Sequence, residues 1–151
     1  MKLLFVCHGN ICRSPMAEFC MKQLAKEAGI PMEIRSAATS REEIGNSVYP
    51  SARAELARHG ISAAGKRAVQ MTAENYQSYD LILAMDRNNL RNLRPMTGGD
   101  PEGKVHLLLE FTDCPGEVDD PWYTGDFETA WREIERGCRG LLKAIQIGTI
   151  S

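Results

Sequence analysis

Two short runs constrain the fold more than anything else in the chain. Leu3-Leu4-Phe5-Val6 and Leu81-Ile82-Leu83-Ala84-Met85 are apolar at every position. A strand with one face in water alternates apolar and polar residues, so an unbroken apolar run reads as a strand covered on both faces. Helical spacing lies between the strand candidates. Ser14 suits an N-cap and Pro15 a first helical position, and the stripe Met16, Ala17, Cys20, Met21, Leu24 and Ala28 ends at Gly29. Met32 to Ser36 alternates and reads as a second strand, residues 37–49 as a surface loop, and Pro50 to Arg58 as a short helix stopped by Gly60. Thr72 caps a short helix containing Tyr76, Asp86 caps a helix that passes Leu90 and Leu93 and halts at Pro95, and Val105 to Leu109 is the fourth strand candidate. The clearest helix is the last, where Phe127, Ala130, Trp131, Ile134, Cys138, Leu141, Leu142 and Ile145 recur at helical steps behind Asp126. The pattern predicts an α/β fold, a parallel sheet with helices on both faces.

The chain has 151 residues and suits one domain, residues 1–151, with no repeat, linker or low-complexity segment. Hydrophobic residues make up 43% and charged residues 25%, which argues against disorder, and a net charge of −2 gives no electrostatic case for nucleic acid or an anionic membrane. No apolar run reaches membrane-span length, and Met1-Lys2 with four apolar residues is no signal peptide, so a cytoplasmic location is expected. The five cysteines, Cys7, Cys12, Cys20, Cys114 and Cys138, are odd in number and unevenly spaced, which argues for thiols rather than a disulfide framework or a zinc site. Cys20 and Cys138 lie on helix stripes and read as core, and Cys114 as an inert loop thiol. His59 and His106 read as structural or solvated, and no metal site is built from any histidine.

Chemistry concentrates where the first strand ends. Cys7-His8-Gly9-Asn10-Ile11-Cys12-Arg13-Ser14 stands between that strand and the first helix. Successive N–H groups of such a loop converge on an anion, the helix N-terminus adds its positive dipole end, and Arg13 supplies a bidentate donor fork. The same field favours the thiolate of Cys7 as a nucleophile. Gly9 allows close backbone approach, Asn10 holds the loop in an unusual conformation, and Ser14 is placed to donate to the Cys7 sulfur as it leaves. His8 contributes its backbone N–H, with a second-acid role as the alternative. Dinucleotide and Walker-type spacings are absent.

A phosphate ester's leaving group needs a proton, and the long 112–125 segment offers Asp113, Glu117, Asp119 and Asp120. Asp120 is the choice for general acid, then base, because Pro121 fixes its backbone; a role shared with Asp119 is the alternative. Trp122 and Tyr123 follow, able to wall a pocket around an aromatic leaving group.

Cys7 through Pro15 resembles the signature loop of the low-molecular-weight protein tyrosine phosphatases, and Asp120-Pro121-Trp122-Tyr123 resembles their general-acid loop. Met85-Asp86-Arg87-Asn88-Asn89-Leu90 is similar to a third family segment, whose aspartate, here Asp86, supports the loop arginine. The similarity runs from Lys2 to about Leu142. It implies a single-domain four-stranded parallel sheet in order 2-1-3-4, flanked by helices, and hydrolysis of phosphotyrosine through a phosphocysteine intermediate without cofactor or metal. It further implies phosphotyrosine-containing proteins as partners of a monomeric or weakly self-associating chain, and reversible oxidative pairing of Cys12 with Cys7; the plain alternative for Cys12 is packing. Two departures stand out. Gly65 precedes Lys66-Arg67 where the family often has a histidine, so a structural hydrogen bond is lost or supplied differently. Glu42 occupies the place of a rim aromatic, which opens the mouth and disfavours acidic substrate peptides.

Other readings remain on the same loop. Arsenate reductases of this fold need further cysteines near the third strand, and Leu81 to Arg94 has none. Protein arginine phosphatases resemble this loop with threonine where Ile11 stands; isoleucine presents an apolar wall that favours tyrosine. A non-catalytic phosphate-binding module would need neither Cys7 nor Asp120.

Overall fold

The computed structural model describes residues 1–149, so the last two residues of the expected 1–151 domain lie outside the described ones. Strands β1 (Lys2–Cys7), β2 (Glu33–Ala38), β3 (Leu81–Ala84) and β4 (Val105–Leu107) form one parallel sheet in the order β2-β1-β3-β4. The strand order is the one expected. Helices α1 (Arg13–Ala28), α2 (Pro50–Arg58), α3 (Ala73–Ser78), α4 (Arg87–Thr97), α5 (Pro121–Thr124) and α6 (Phe127–Gln146) complete it, with a 3-10 turn at Leu108–Phe111.

The continuous apolar runs follow from two-sided burial. Leu3, Phe5 and Cys7 of β1 join Leu81 and Leu83 of β3 against α1, α2 and α6. Leu4, Val6, Ile82 and Ala84 point to the other layer, where Met71, Tyr76 and Leu93 cover them. Gly140 explains how closely α6 packs: a Cβ there would sit 2.1 Å from the carbonyl oxygen of Phe111.

Several boundaries differ from expectation. Helix α1 begins at Arg13 with Cys12 as its N-cap, because the Ser14 hydroxyl is turned to Cys7 and Asn10 instead of capping. Helix α4 passes through Pro95 to Gly98, held by buried Leu93 and Thr97 and by the Thr97 hydroxyl donating to the Leu93 carbonyl at 2.9 Å. Strand β2 continues to Ala38, whose N–H donates to Val69 O at 2.7 Å. Strand β4 stops at Leu107, where the 3-10 turn sends Leu108 and Leu109 under α6. The 112–125 segment contains α5, which Asp120 caps by accepting from Trp122 N at 3.0 Å. An Asp-Pro pair is an N-cap followed by a first-position proline, so that helix was open to prediction.

Candidate active site

Strand β1 is central, and its C-terminal end delivers Cys7 to the start of α1, the edge at which open α/β sheets hold ligands. The thiol is 3% exposed. Its sulfur lies 3.0 Å from Ser14 Oγ and accepts from the N–H groups of Asn10 at 3.3 Å and Ser14 at 3.4 Å. The strained residue of the loop is Asn10, at φ 59°, and not Gly9. Asn10 holds that left-handed conformation by side-chain bonds: Nδ2 donates to Ser14 Oγ at 2.8 Å and Ser36 Oγ at 2.9 Å, while Oδ1 accepts from Val69 N at 3.1 Å. Ser36 in turn donates to buried Glu18 at 2.5 Å.

These bonds have a direction. A carboxylate only accepts, so the Ser36 proton goes to Glu18 and Ser36 Oγ accepts from Asn10. Asn10 spends both amide protons on the two serines, so the Ser14 proton is the one left for the Cys7 sulfur. Beside Gly65, Lys66 Nζ donates to the Ser36 carbonyl at 3.0 Å and lies 3.8 Å from Glu18. Burial lowers the Lys66 pKa, although Glu18 and Cys7 both favour its charge. Ser36, Glu18 and Lys66 were missed as site residues: Ser36 and Lys66 are distant in sequence, and Glu18, one helical turn past Ser14, reaches the loop only through Ser36.

Arg13 is 2% exposed and fastened from three sides. Nη1 donates to Asp86 Oδ2 at 2.7 Å and to the Val118 carbonyl at 2.9 Å, and Nη2 to Asp120 Oδ2 at 3.3 Å. Burial works against its charge, but Cys7, Asp120 and Asp86 outweigh it and raise its pKa. Asp86 is the short, firm brace and Asp120 the looser partner. Asp119 is exposed, its N–H donating to Glu133, and Asp113 is exposed as well.

A cavity of about 230 Å³ opens over these groups, lined by Cys7, Gly9, Ile11, Cys12, Arg13 and Asp120 at depth and by His8, Glu42, Glu43, Trp122 and Tyr123 at the mouth. Trp122 is 53% exposed and meets Tyr49 edge-on at 5.0 Å, whereas Tyr123 is 85% exposed and only edges the rim. Glu42 stands at the mouth as expected, its carboxylate 3.1 Å from His8 Nε2. Cys12 is buried beside Cys7; burial first, then the Cys7 and Asp120 charges, push its thiol up to about 12. Cys20 and Cys138 are buried in the core and Cys114 is exposed. Among the described residues, no cluster of His, Cys, Asp and Glu is arranged to hold a metal.

A thiol at the end of a central parallel strand, ringed by amides and a buried guanidinium and faced by a carboxyl group, defines a class: α/β proteins with a cysteine-headed anion loop. Within that class the chain belongs to the low molecular weight phosphotyrosine protein phosphatase family, whose model matches residues 2–148. It is 39% identical over 148 residues to the low molecular weight protein-tyrosine-phosphatase YfkJ of Bacillus subtilis, covering 95% of each chain. It is 38% identical to the low molecular weight phosphotyrosine protein phosphatase of Homo sapiens, covering 93% of each. The crystal structure of YfkJ superposes with a TM-score of 0.94 at 38% identity, over 98% of this chain and 96% of that one.

Proposed function

We propose that this chain is a metal-independent protein tyrosine phosphatase that hydrolyses phosphotyrosine in two displacements through phosphocysteine. The observation that carries the reading is the Cys7 sulfur held by two loop amides and Ser14 in a cavity that Arg13 and Asp120 also line. In the first displacement the Cys7 thiolate attacks phosphorus in line. The sulfur–phosphorus bond forms, the phosphorus–oxygen bond to tyrosine breaks, and Asp120 gives its proton to the departing phenolic oxygen. In the second, Asp120 takes a proton from water, the hydroxide oxygen attacks phosphorus, and the Cys7 thiolate leaves with the Ser14 hydroxyl bonded to it. Arg13 and the loop amides not bonded to the sulfur hold the three equatorial oxygens through both steps, neutralising charge that a metal neutralises elsewhere.

Ile11 and Trp122 give the cavity apolar and aromatic walls that suit a phenyl ring, with Tyr123 at the rim, which supports tyrosine over the polar guanidinium of phosphoarginine. Cys12 serves as a redox guard: when peroxide oxidises Cys7 to a sulfenic acid, Cys12 sulfur displaces water to form a disulfide that a thiol reductant reverses. We place the enzyme in the cytoplasm as one domain. Among the described residues no helix is long and apolar enough to cross a membrane.

The test compares phosphotyrosine, phosphoserine and phosphoarginine versions of one peptide on wild type and Cys7→Ser. Turnover of the phosphotyrosine peptide alone, abolished by Cys7→Ser, is expected. Preferential release of phosphate from phosphoarginine would overturn the substrate assignment, and turnover by Cys7→Ser the nucleophile.

A further inference from the structure

The catalytic cavity continues sideways. A second groove of about 390 Å³ adjoins it, and Ile11, Glu43 and Trp122 line both. From that shared edge the groove passes Tyr49 and Pro50 to reach Arg53 and Arg67. Its floor is fastened to the phosphate-binding loop itself, since Tyr49 N donates to the Ile11 carbonyl at 2.9 Å. The Tyr49 ring meets Trp122 at 5.0 Å and stacks on Phe127 at 5.9 Å. The opposite wall is tied down too: Ala68 N donates to Asn46 O at 2.8 Å and Gly45 N to Ala68 O at 2.9 Å.

The charges along this path are arranged asymmetrically. The arginines held in ion pairs among the described residues are Arg13, Arg58, Arg87, Arg132 and Arg139, so Arg53 and Arg67 are not committed to a carboxylate. Both are exposed, and Arg67 makes only a 3.4 Å contact with the Gly45 carbonyl. The one acid of the groove, Glu43, accepts from Asn46 Nδ2 at 2.6 Å. The part of the cavity mouth outside the groove instead carries Glu42 beside His8. A chain leaving the cavity along the groove therefore passes Glu43 to reach two guanidinium groups, whereas Glu42 stands outside that path.

We propose that this groove binds the polypeptide flanking phosphotyrosine, and that Arg53 and Arg67 select an acidic side chain on one side of the phosphorylated residue. The inference rests on the phosphotyrosine reading above. Continuity argues for a substrate strand over any separate ligand, because a chain leaving the cavity past Ile11 and Trp122 is already in the groove. The disadvantage of acidic peptides expected from Glu42 is thereby confined to the Glu42 side. Exposed charge pairs are individually weak, so the two arginines together supply ~3–10-fold in kcat/KM, through KM because the contact is equal in ground and transition states. The preference shrinks as salt screens it.

A glutamate scan through a phosphotyrosine peptide, every position in turn on both sides, tests this with wild type alone. One or two adjacent positions on a single side should raise kcat/KM ~3–10-fold over the alanine peptide. In Arg53→Gln/Arg67→Gln the gain should vanish while kcat/KM for p-nitrophenyl phosphate, which never reaches the groove, stays at the wild-type value. A flat scan with brisk hydrolysis of every peptide overturns the groove assignment and leaves the phosphatase reading intact. So does a preference that survives the double substitution. Failure to hydrolyse any phosphotyrosine peptide, with p-nitrophenyl phosphate still cleaved, overturns the phosphotyrosine reading and this inference with it.

Discussion

Asp86 has two roles that substitution can separate. Its Oδ2 accepts from Arg13 at 2.7 Å and its Oδ1 accepts from Asn89 N at 2.8 Å, capping α4. Arg13 is 2% exposed, so water cannot readily replace a lost partner, though Val118 O and Asp120 remain. A hydrogen bond to a charged group is worth about 1.5–3 kcal/mol. Asp86 is 19% exposed and the guanidinium keeps its other partners, which puts the loss in the lower half of that range. Asp86→Ser keeps a capping hydroxyl yet is too short to reach Arg13. It should lower kcat/KM on an aryl phosphate by ~10–30-fold, and the lost bond to buried Arg13 should also cost about 1.5–2 kcal/mol of stability. Asp86→Ala should lower kcat/KM equally and cost about 1 kcal/mol more than Asp86→Ser in urea denaturation, the worth of the cap. Steady-state kinetics and denaturation curves on the two variants decide the matter. Wild-type kcat/KM in Asp86→Ser would refute the idea that the brace matters to phosphate binding; equal stability losses in both would refute the division of roles.

The other predictions can be checked independently. Cys12→Ser should keep p-nitrophenyl phosphate turnover within ~3-fold of wild type, but longer peroxide exposure should leave inactivation that dithiothreitol does not reverse, because a second peroxide oxidises the untrapped Cys7 sulfenic acid to a sulfinic acid that thiols do not reduce. Burial pushes the Glu55 carboxyl up, but hydrogen bonds from Arg58 and His59 outweigh it and hold its pKa below the ordinary value. That stabilisation is present above the unfolded-state pKa and is lost as pH falls through the folded one, so Glu55→Gln should flatten the acid limb of stability against pH. Gly140→Ala should cost about 1–3 kcal/mol in denaturation despite alanine's better helix propensity, since its Cβ would strike the Phe111 carbonyl.

Legibility in the sequence followed how local each feature is. β1 and β3 were readable because burial on both faces leaves an unbroken apolar run, and α6 because one long stripe faces one core. Cys7, Arg13 and Ser14 were readable as a group because a single loop carries them. What was not readable is set by distance. Ser36, which orients Asn10, comes from β2; Glu18 is only one helical turn past Ser14 but bears on the loop through Ser36 alone; and the Val118 carbonyl that holds Arg13 is main chain, with no residue type to announce it. Pro95 looked like a stop, yet burial of Leu93 and Thr97 carries α4 past it, tertiary packing overriding local propensity. Asn10 was legible as the residue that holds the loop, and it proves to be the left-handed one, while the Ser36 and Val69 partners that offset its strain come from elsewhere in the chain.

The central claim is that phosphate passes through Cys7. Asp120→Ala should slow hydrolysis of the intermediate far more than its formation from p-nitrophenyl phosphate, whose activated phenol leaves without a proton. Rapid acid quench of that variant during turnover, followed by peptide mass spectrometry, should find one phosphoryl group on the peptide bearing Cys7, approaching one per enzyme. Phosphoryl on any other residue, or none on Cys7 while p-nitrophenol is still being released, would contradict the account.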